Sequence, residues 1–292
     1  MSHTPLHPLG ENAVLHKLLA KLHSDESLIV GPGDDCAVVA RNEEWDTLLK
    51  TDVVVENIHF TPDTPPQLIG RKALARAVSD IAAMGGIPEH ALITLLVHPK
   101  RDVEQLEGIY EGISQLAAQF GVSIAGGETS SLPIDGLAIN VALTGRVEKG
   151  RAILRSGGRP GDIICVSGPL GGSFPTQHHL LFTPRVELAR ELLHSDCCPT
   201  SMMDLSDGIA VDLPRLAAAS QCGFILEPEQ IPCNPECSIS QALKDGEDYE
   251  LLFTVAEEHL DVIVEKGLFP IGKLCADLQK NTLSGGWQHF TT

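Results

Sequence analysis

The side chains best equipped for chemistry are seven carboxylates: Asp34, Asp35, Asp52, Asp80, Glu128, Asp204 and Asp207. They sit in the glycine-rich or turn-flanked segments GPGDDCAVV, KTDVVVENIHF, SDIAAMGG, AGGETS and MDLSDG. Seven such groups cannot share one cleft uncompensated, because like charges a few Å apart repel. Hard, oxygen-seeking divalent cations are the usual compensator, and they suit phosphate-rich ligands. No nucleophile–base pairing of comparable weight occurs elsewhere in the chain. The pattern points to a magnesium-dependent enzyme that handles phosphate groups.

Each segment also has a plainer reading. Asp80 is the only carboxylate in the apolar half of a long helical stretch, and Arg76 one turn earlier is an i,i+4 partner for it. Asp34-Asp35 after Gly33 is a common turn. It also enters a strand, so that one carboxylate faces a metal cluster while the other accepts backbone hydrogen bonds. Thr51-Asp52 lies mid-strand, where Asp has poor propensity. Gly126-Gly127-Glu128 ends a strand with amides open to an anion and an acid to hold a cation. No GxxxxGK[ST] loop occurs, so phosphate binding needs another design. Ser206 or Asp207 equally serves as an N-cap for the helix that follows. Glu247, in GEDYE, reads as a surface turn or a site acid, and His59 as a structural or a binding histidine. Trp287, in SGGWQHF, stacks on a flat heterocycle or anchors the C-terminus.

The elements that must position these groups follow from periodicity. Helical spacing covers 11–23, 66–84 and 103–119, the second ended by Gly85-Gly86. Strands are expected at 36–40, 46–56, 91–99, 121–125 and 137–147. After the turn-rich GGRPGD (157–162), the pattern gives a strand at IICV, a helix near 185–194 and a helix opening at Asp207-Gly208. Strands at 223–226, 251–255 and 270–274 complete it, with a helix ending near 266. The order is that of an α/β (α+β) protein of two units, 1–150 and 151–292.

Bulk properties narrow the function. The chain has 292 residues, 43% hydrophobic, and a formal charge of −18 from 21 basic and 39 acidic side chains. That charge argues against non-specific nucleic-acid binding and against anionic membranes. The N-terminus lacks a signal-peptide pattern and no apolar run approaches a membrane span, so a cytoplasmic protein is expected. The eight cysteines are scattered. They read as free thiols, Cys233-x-x-x-Cys237 offering only half of a zinc site.

The segments occur together in an order that resembles the thiamine-monophosphate kinase family. They are GPGDDCAVV, KTDVVVENIHF, GRKALARAVSDIAAMGGIP, GGETS, LTGRV, LRSGGRPGDIICVSGPLGGS, MDLSDGIAVDL, GEDYELLFTV and IGKL. That family lies within the larger aminoimidazole-ribonucleotide-synthetase-like group. The resemblance runs from about residue 30 to the C-terminus. It implies an N-terminal ATP- and metal-binding α/β domain whose sheet completes a barrel across a homodimer, and a C-terminal α/β domain. It further implies transfer of the ATP γ-phosphate to thiamine monophosphate, with several magnesium ions between nucleotide and acidic residues. By position, Asp35, Thr51, Asp52, Asp80, Glu128, Asp204 and Asp207 would be the metal ligands, with Asp52 and Asp80 central to catalysis. Gly127, Arg155 and Ser206 would meet ATP; His59, Glu247 and Trp287 would face the thiamine phosphate. The chain departs from the pattern at four places, one of them a compact segment between GPLGGS and MDLSDG. Glu128 stands where the family has Asp, Lys50 where it has a small hydroxyl residue, and Ala77 where it has Asn. Lys50 would repel a cation or replace one. The alternatives are an aminoimidazole ribonucleotide synthetase-like enzyme and a non-catalytic relative that binds nucleotide and thiamine phosphates.

Overall fold

A computed structural model describes residues 10–281, 283, 285 and 286. Among the described residues, eleven strands fall into two sheets, with helices packed between and behind them. The first half runs α1 (Gly10–Leu19), β1 (Leu28–Val30), β2 (Ala37–Ala40), β3 (Trp45–Val55), α2 (Pro66–Ala83) and β4 (Ile87–Val97). It continues with α3 (Val103–Phe120), β5 (Ser123–Ser131) and β6 (Leu137–Glu148). These strands form one six-stranded sheet in the order β1-β2-β3-β6-β4-β5. Every pair in it is antiparallel except β4–β5, which is parallel.

The second half supplies β7 (Ile163–Val166), α4 (His178–Leu181), α5 (Val186–His194), β8 (Ser201–Asp204), α6 (Ile209–Ala219) and β9 (Gly223–Leu226). It ends with α7 (Ile239–Lys244), β10 (Leu251–Val255), α8 (Leu260–Glu265) and β11 (Phe269–Cys275). Its sheet is antiparallel throughout, ordered β8-β10-β7-β11-β9.

Period-two alternation decides what each face of the first sheet does. Along β3, Asp46, Leu48 and Val54 are buried, while Leu49 and Val53 are 43% and 40% exposed. The inner face carries α2 and α3. The outer face is open, with Leu92 also exposed on it. Helix α2 is the hinge of the architecture. Ile69, Leu74, Ala77, Val78 and Ile81 are fully buried, and the helix touches β3, α3, α5 and β8. Glycines let α2 and α3 cross closely. A Cβ at Gly70 would lie 1.9 Å from the Ile109 carbonyl oxygen, and one at Gly112 1.9 Å from that of Gln67. Any larger residue forces the helices apart.

Strands β7, β8 and β10 of the second sheet are buried on both faces, which is why β7 reads IICV and β8 SMMD without alternation. Ile163 and Cys165 join the core around α2, while Ile164 and Val166 face a second core built on α6.

Most of the elements expected from periodicity are present, with boundaries within a few residues. β5 is the main exception, running to Ser131 instead of ending near 125. Gly126-Gly127-Glu128 therefore lies inside an edge strand, not at a strand end. The short elements β1, β8, α4 and α7 carry too few residues for periodicity to register.

Candidate active site

Three carboxylates converge where α2, the loop before β2 and the end of β8 meet. Asp35, Asp80 and Asp204 are all buried, and each offers an oxygen within 4.8 Å of the other two. Asp35 enters from the GPGDD loop. Its neighbour Asp34 turns aside, accepting the backbone N–H of Asp35 at 3.1 Å and that of Arg155 at 3.2 Å. Asp204 ends β8 and accepts the Ser79 hydroxyl at 2.6 Å. Two cations stand against these acids. The Arg155 guanidinium donates to Asp35 Oδ1, and Lys50 Nζ lies 2.8 Å from Asp80 Oδ1.

Burial pushes Asp80 well above the ordinary carboxylate range; Lys50 pulls it down, and Asp204, Asp52 and Asp35 push it up again. Burial and the Asp35 charge raise Asp204 to about 6, against the Ser79 hydrogen bond, Lys50 and Arg155. With all three acids ionised, the two cations would leave one negative charge uncompensated. Asp35 Oδ2 is buried without a hydrogen-bond partner among the described residues. An orphaned carboxylate oxygen beside two others is a donor set that fits a hard divalent cation.

Helix α2 extends the site with a stripe at Lys72, Arg76 and Asp80, four residues apart and therefore on one face. Arg76, the expected partner of Asp80, instead meets Asp52: its Nε is 3.1 Å from Asp52 Oδ2, and its Nη1 donates to the Val53 carbonyl at 3.0 Å. The neighbouring strand thus supplies both counter-charges, Lys50 to Asp80 and Asp52 to Arg76. Lys72 is fully buried, donating to the His59 carbonyl and to Glu247 Oε2, both at 2.6 Å. Burial lowers Lys72 to about 8, although Glu247 opposes the shift.

Beside this stripe opens a cavity of about 290 Å³, lined by His59, Arg76, Phe174, Ser206, Asp207, Glu247 and Tyr249 among others. A neighbouring hollow of about 430 Å³ shares Ile58, His59 and Phe174. Glu247 and Tyr249 hold left-handed backbone, at φ 64° and 53°, which is strained for residues with a Cβ. Their amides donate to the Ser206 and Leu205 carbonyls at 2.7 and 2.8 Å, and so pin the GEDYE segment against LSD. The cap expected from Ser206 or Asp207 is absent. Asp212, one turn into α6, reaches back to accept both of their amides, and Arg215 pairs with Asp207 and Asp212.

The structure thus brings Asp35, Asp80 and Asp204 into one cluster, with Arg155 paired to Asp35, while Asp52 pairs with Arg76 beside it. It places His59, Ser206, Asp207 and Glu247 around one cavity. It does not bring Thr51 or Glu128 to the cluster. Thr51 alternates to the outer face, where its hydroxyl donates to Asn140 Oδ1 at 2.9 Å. Glu128 is exposed on β5 in register with Thr94, and Gly127 with Ile93. Trp287 lies outside the described residues. Sequence reasoning missed Lys72, Arg76, Phe174 and Tyr249 as site residues. The i,i+4,i+8 spacing of Lys72, Arg76 and Asp80 was the available signal.

This fold and site define the class of AIR synthase-related proteins. The family model "AIR synthase related protein, N-terminal domain" matches residues 33–147. The thiamine-monophosphate kinase of Bacillus subtilis is 32% identical over 286 residues, covering 88% of this chain and 87% of that one. That of Escherichia coli K12 is 32% identical over 308 residues, covering 92% of each. A solved structure of AaThiL complexed with AMPPCP and TMP superimposes with a TM-score of 0.87 at 29% identity, covering 98% of this chain and 99% of that one. The chain belongs to the thiamine-monophosphate kinase family.

Proposed function

We propose that this chain transfers the γ-phosphoryl group of ATP to thiamine monophosphate, giving ADP and thiamine diphosphate. The observation that carries this reading at the site is the buried Asp35–Asp80–Asp204 cluster with its orphaned Asp35 oxygen, set beside a cavity of about 290 Å³. Asp35, Asp80 and Asp204 would hold magnesium, with Asp52 and Asp207 adding ligands once released from Arg76 and Arg215. Bound there, magnesium supplies charge neutralisation between two phosphate groups.

The acceptor is already a phosphate anion near neutral pH, so no side chain need remove a proton from it. Positioning and charge then dominate the barrier. Arg155 and Ser206 would meet the nucleotide, and Gly127 would offer its backbone to it from an edge strand. His59 and Glu247, held by Lys72, would orient the thiamine phosphate from the cavity wall, together with Trp287. Thr51 and Glu128 would hold metal only at a separate, exposed position on the outer face.

A homodimer is part of the same proposal. β5 is an exposed edge, and Leu49, Val53 and Leu92 expose apolar side chains on the outer face, which supports a second copy closing the sheet into a barrel. So are the division into units 1–150 and 151–292 and a cytoplasmic location. Among the described residues no helix is long and apolar enough to cross a membrane.

One observation favours a second reading. The Lys50–Asp80 ion pair occupies a cluster acid, which would suit a protein that binds nucleotide and thiamine phosphates without turnover. Chromatography of protein incubated with ATP, thiamine monophosphate and magnesium decides between them. Thiamine diphosphate that disappears with chelator is the expected result. Saturable binding without product would establish the second reading.

A further inference from the structure

Resting on the magnesium reading above, we propose that the Lys50 ammonium is a resident cation of the acidic cluster. It takes the place of one divalent ion, so this chain binds one fewer metal than its carboxylates would otherwise demand. Lys50 is thus a positioning residue: it fixes Asp80 in place whether or not metal is present.

The geometry points this way on several counts. Strand alternation puts Lys50 on the inner face of β3 with Leu48 and Asp52, so its side chain runs into the interior. There its Nζ meets Asp80 Oδ1 at 2.8 Å, with the Lys50 side chain 22% exposed and that of Asp80 10% exposed. The i,i+4 alternative for Asp80 is spent, because Arg76 is engaged by Asp52 and the Val53 carbonyl. Lys50 is therefore the one cation in contact with Asp80 among the described residues. The opposite side of the cluster is built differently. Asp35 keeps one buried oxygen with no partner among the described residues, which marks where an exchangeable cation is still required. The cluster is thus half compensated by protein and half open. A lysine supplies one positive charge against a metal ion's two, and chelation cannot remove it.

The test counts metal ions. Mn2+ bound per chain is read by electron paramagnetic resonance with a non-hydrolysable ATP analogue, and the analogue-only signal is subtracted. Lys50→Thr and Lys50→Gln, which remove the charge and offer a neutral oxygen, are expected to bind one more ion than the wild type; Lys50→Arg is expected to bind the same number. In chelator both neutral variants should melt well below the wild type, and Mn2+ should close the gap. A merely structural lysine would leave the same gap with and without metal. Equal stoichiometry in wild type, Lys50→Thr and Lys50→Gln overturns the assignment of Lys50 and leaves the magnesium reading standing. A wild type that binds no Mn2+ beyond the analogue overturns the magnesium reading, and this inference with it.

Discussion

The two faces of the six-stranded sheet treat neighbouring residues of β3 in opposite ways. On the inner face, Lys50 and Asp52 look onto α2 and enter ion pairs with Asp80 and Arg76. On the outer face, Thr51 lies between them in sequence yet donates to Asn140 in an exposed row that leads across Thr94 to Glu128. Inside, burial makes each charge depend on its partner. Outside, solvent screens them. Residues adjacent in a motif therefore need not share a site, and the catalytic weight is expected on the inner face.

The largest effect that sharpens this contrast is expected from Asp80→Asn. Turnover should fall about 1,000-fold, the scale of losing a main electrostatic contact in the transition state, with the far-UV circular dichroism spectrum unchanged. Near-normal kcat would remove Asp80 from the chemistry. Next, Asp204→Asn should lower kcat about 100-fold and weaken Mn2+ binding with it. A fall in kcat with metal affinity intact would separate Asp204 from the metal.

A pH series tests the buried acids around the site and in the second half without substitution. Burial leads in raising Asp34 and Asp204 to about 6, Asp248 to about 7 and Asp212 to about 8. Each folded value exceeds its unfolded one, so the native state holds protons that the unfolded chain has released. The stability these groups contribute is full below the unfolded carboxylate range and is lost as pH rises through about 6 to 8. The melting temperature of metal-free protein should fall between pH 5 and 8. Magnesium should flatten the fall by compensating the cluster. A rise over that interval would contradict the charge assignment.

The smallest effects belong outside. Thr51→Val and Glu128→Gln should change kcat by less than about tenfold, close to ordinary surface substitutions. A loss as large as that of Asp80→Asn would break the comparison and join both faces into one site.

Much of this was legible in the sequence. The apolar run after Ile69 announced α2, and the acids in glycine-rich turns announced a charged site. The splitting of Thr51 from Asp52 was legible too, since strand period alone sends neighbours to opposite faces. The ordered set of motifs joined the two residues despite that. What no local pattern carries is the pairing across elements. Arg76 is the natural i,i+4 partner of Asp80 in an isolated helix, but β3 lies closer and exchanges the partners. Asp212 capping its own helix from inside, and the strained Glu247 and Tyr249 backbone, likewise depend on LSD and GEDYE meeting in space.

The most direct test of the account is anomalous diffraction from crystals grown with Mn2+, a non-hydrolysable ATP analogue and thiamine monophosphate. The account predicts manganese peaks bridging Asp35, Asp80 and Asp204, with Lys50 still on Asp80. Peaks confined to the outer face, beside Thr51 and Glu128, would contradict it.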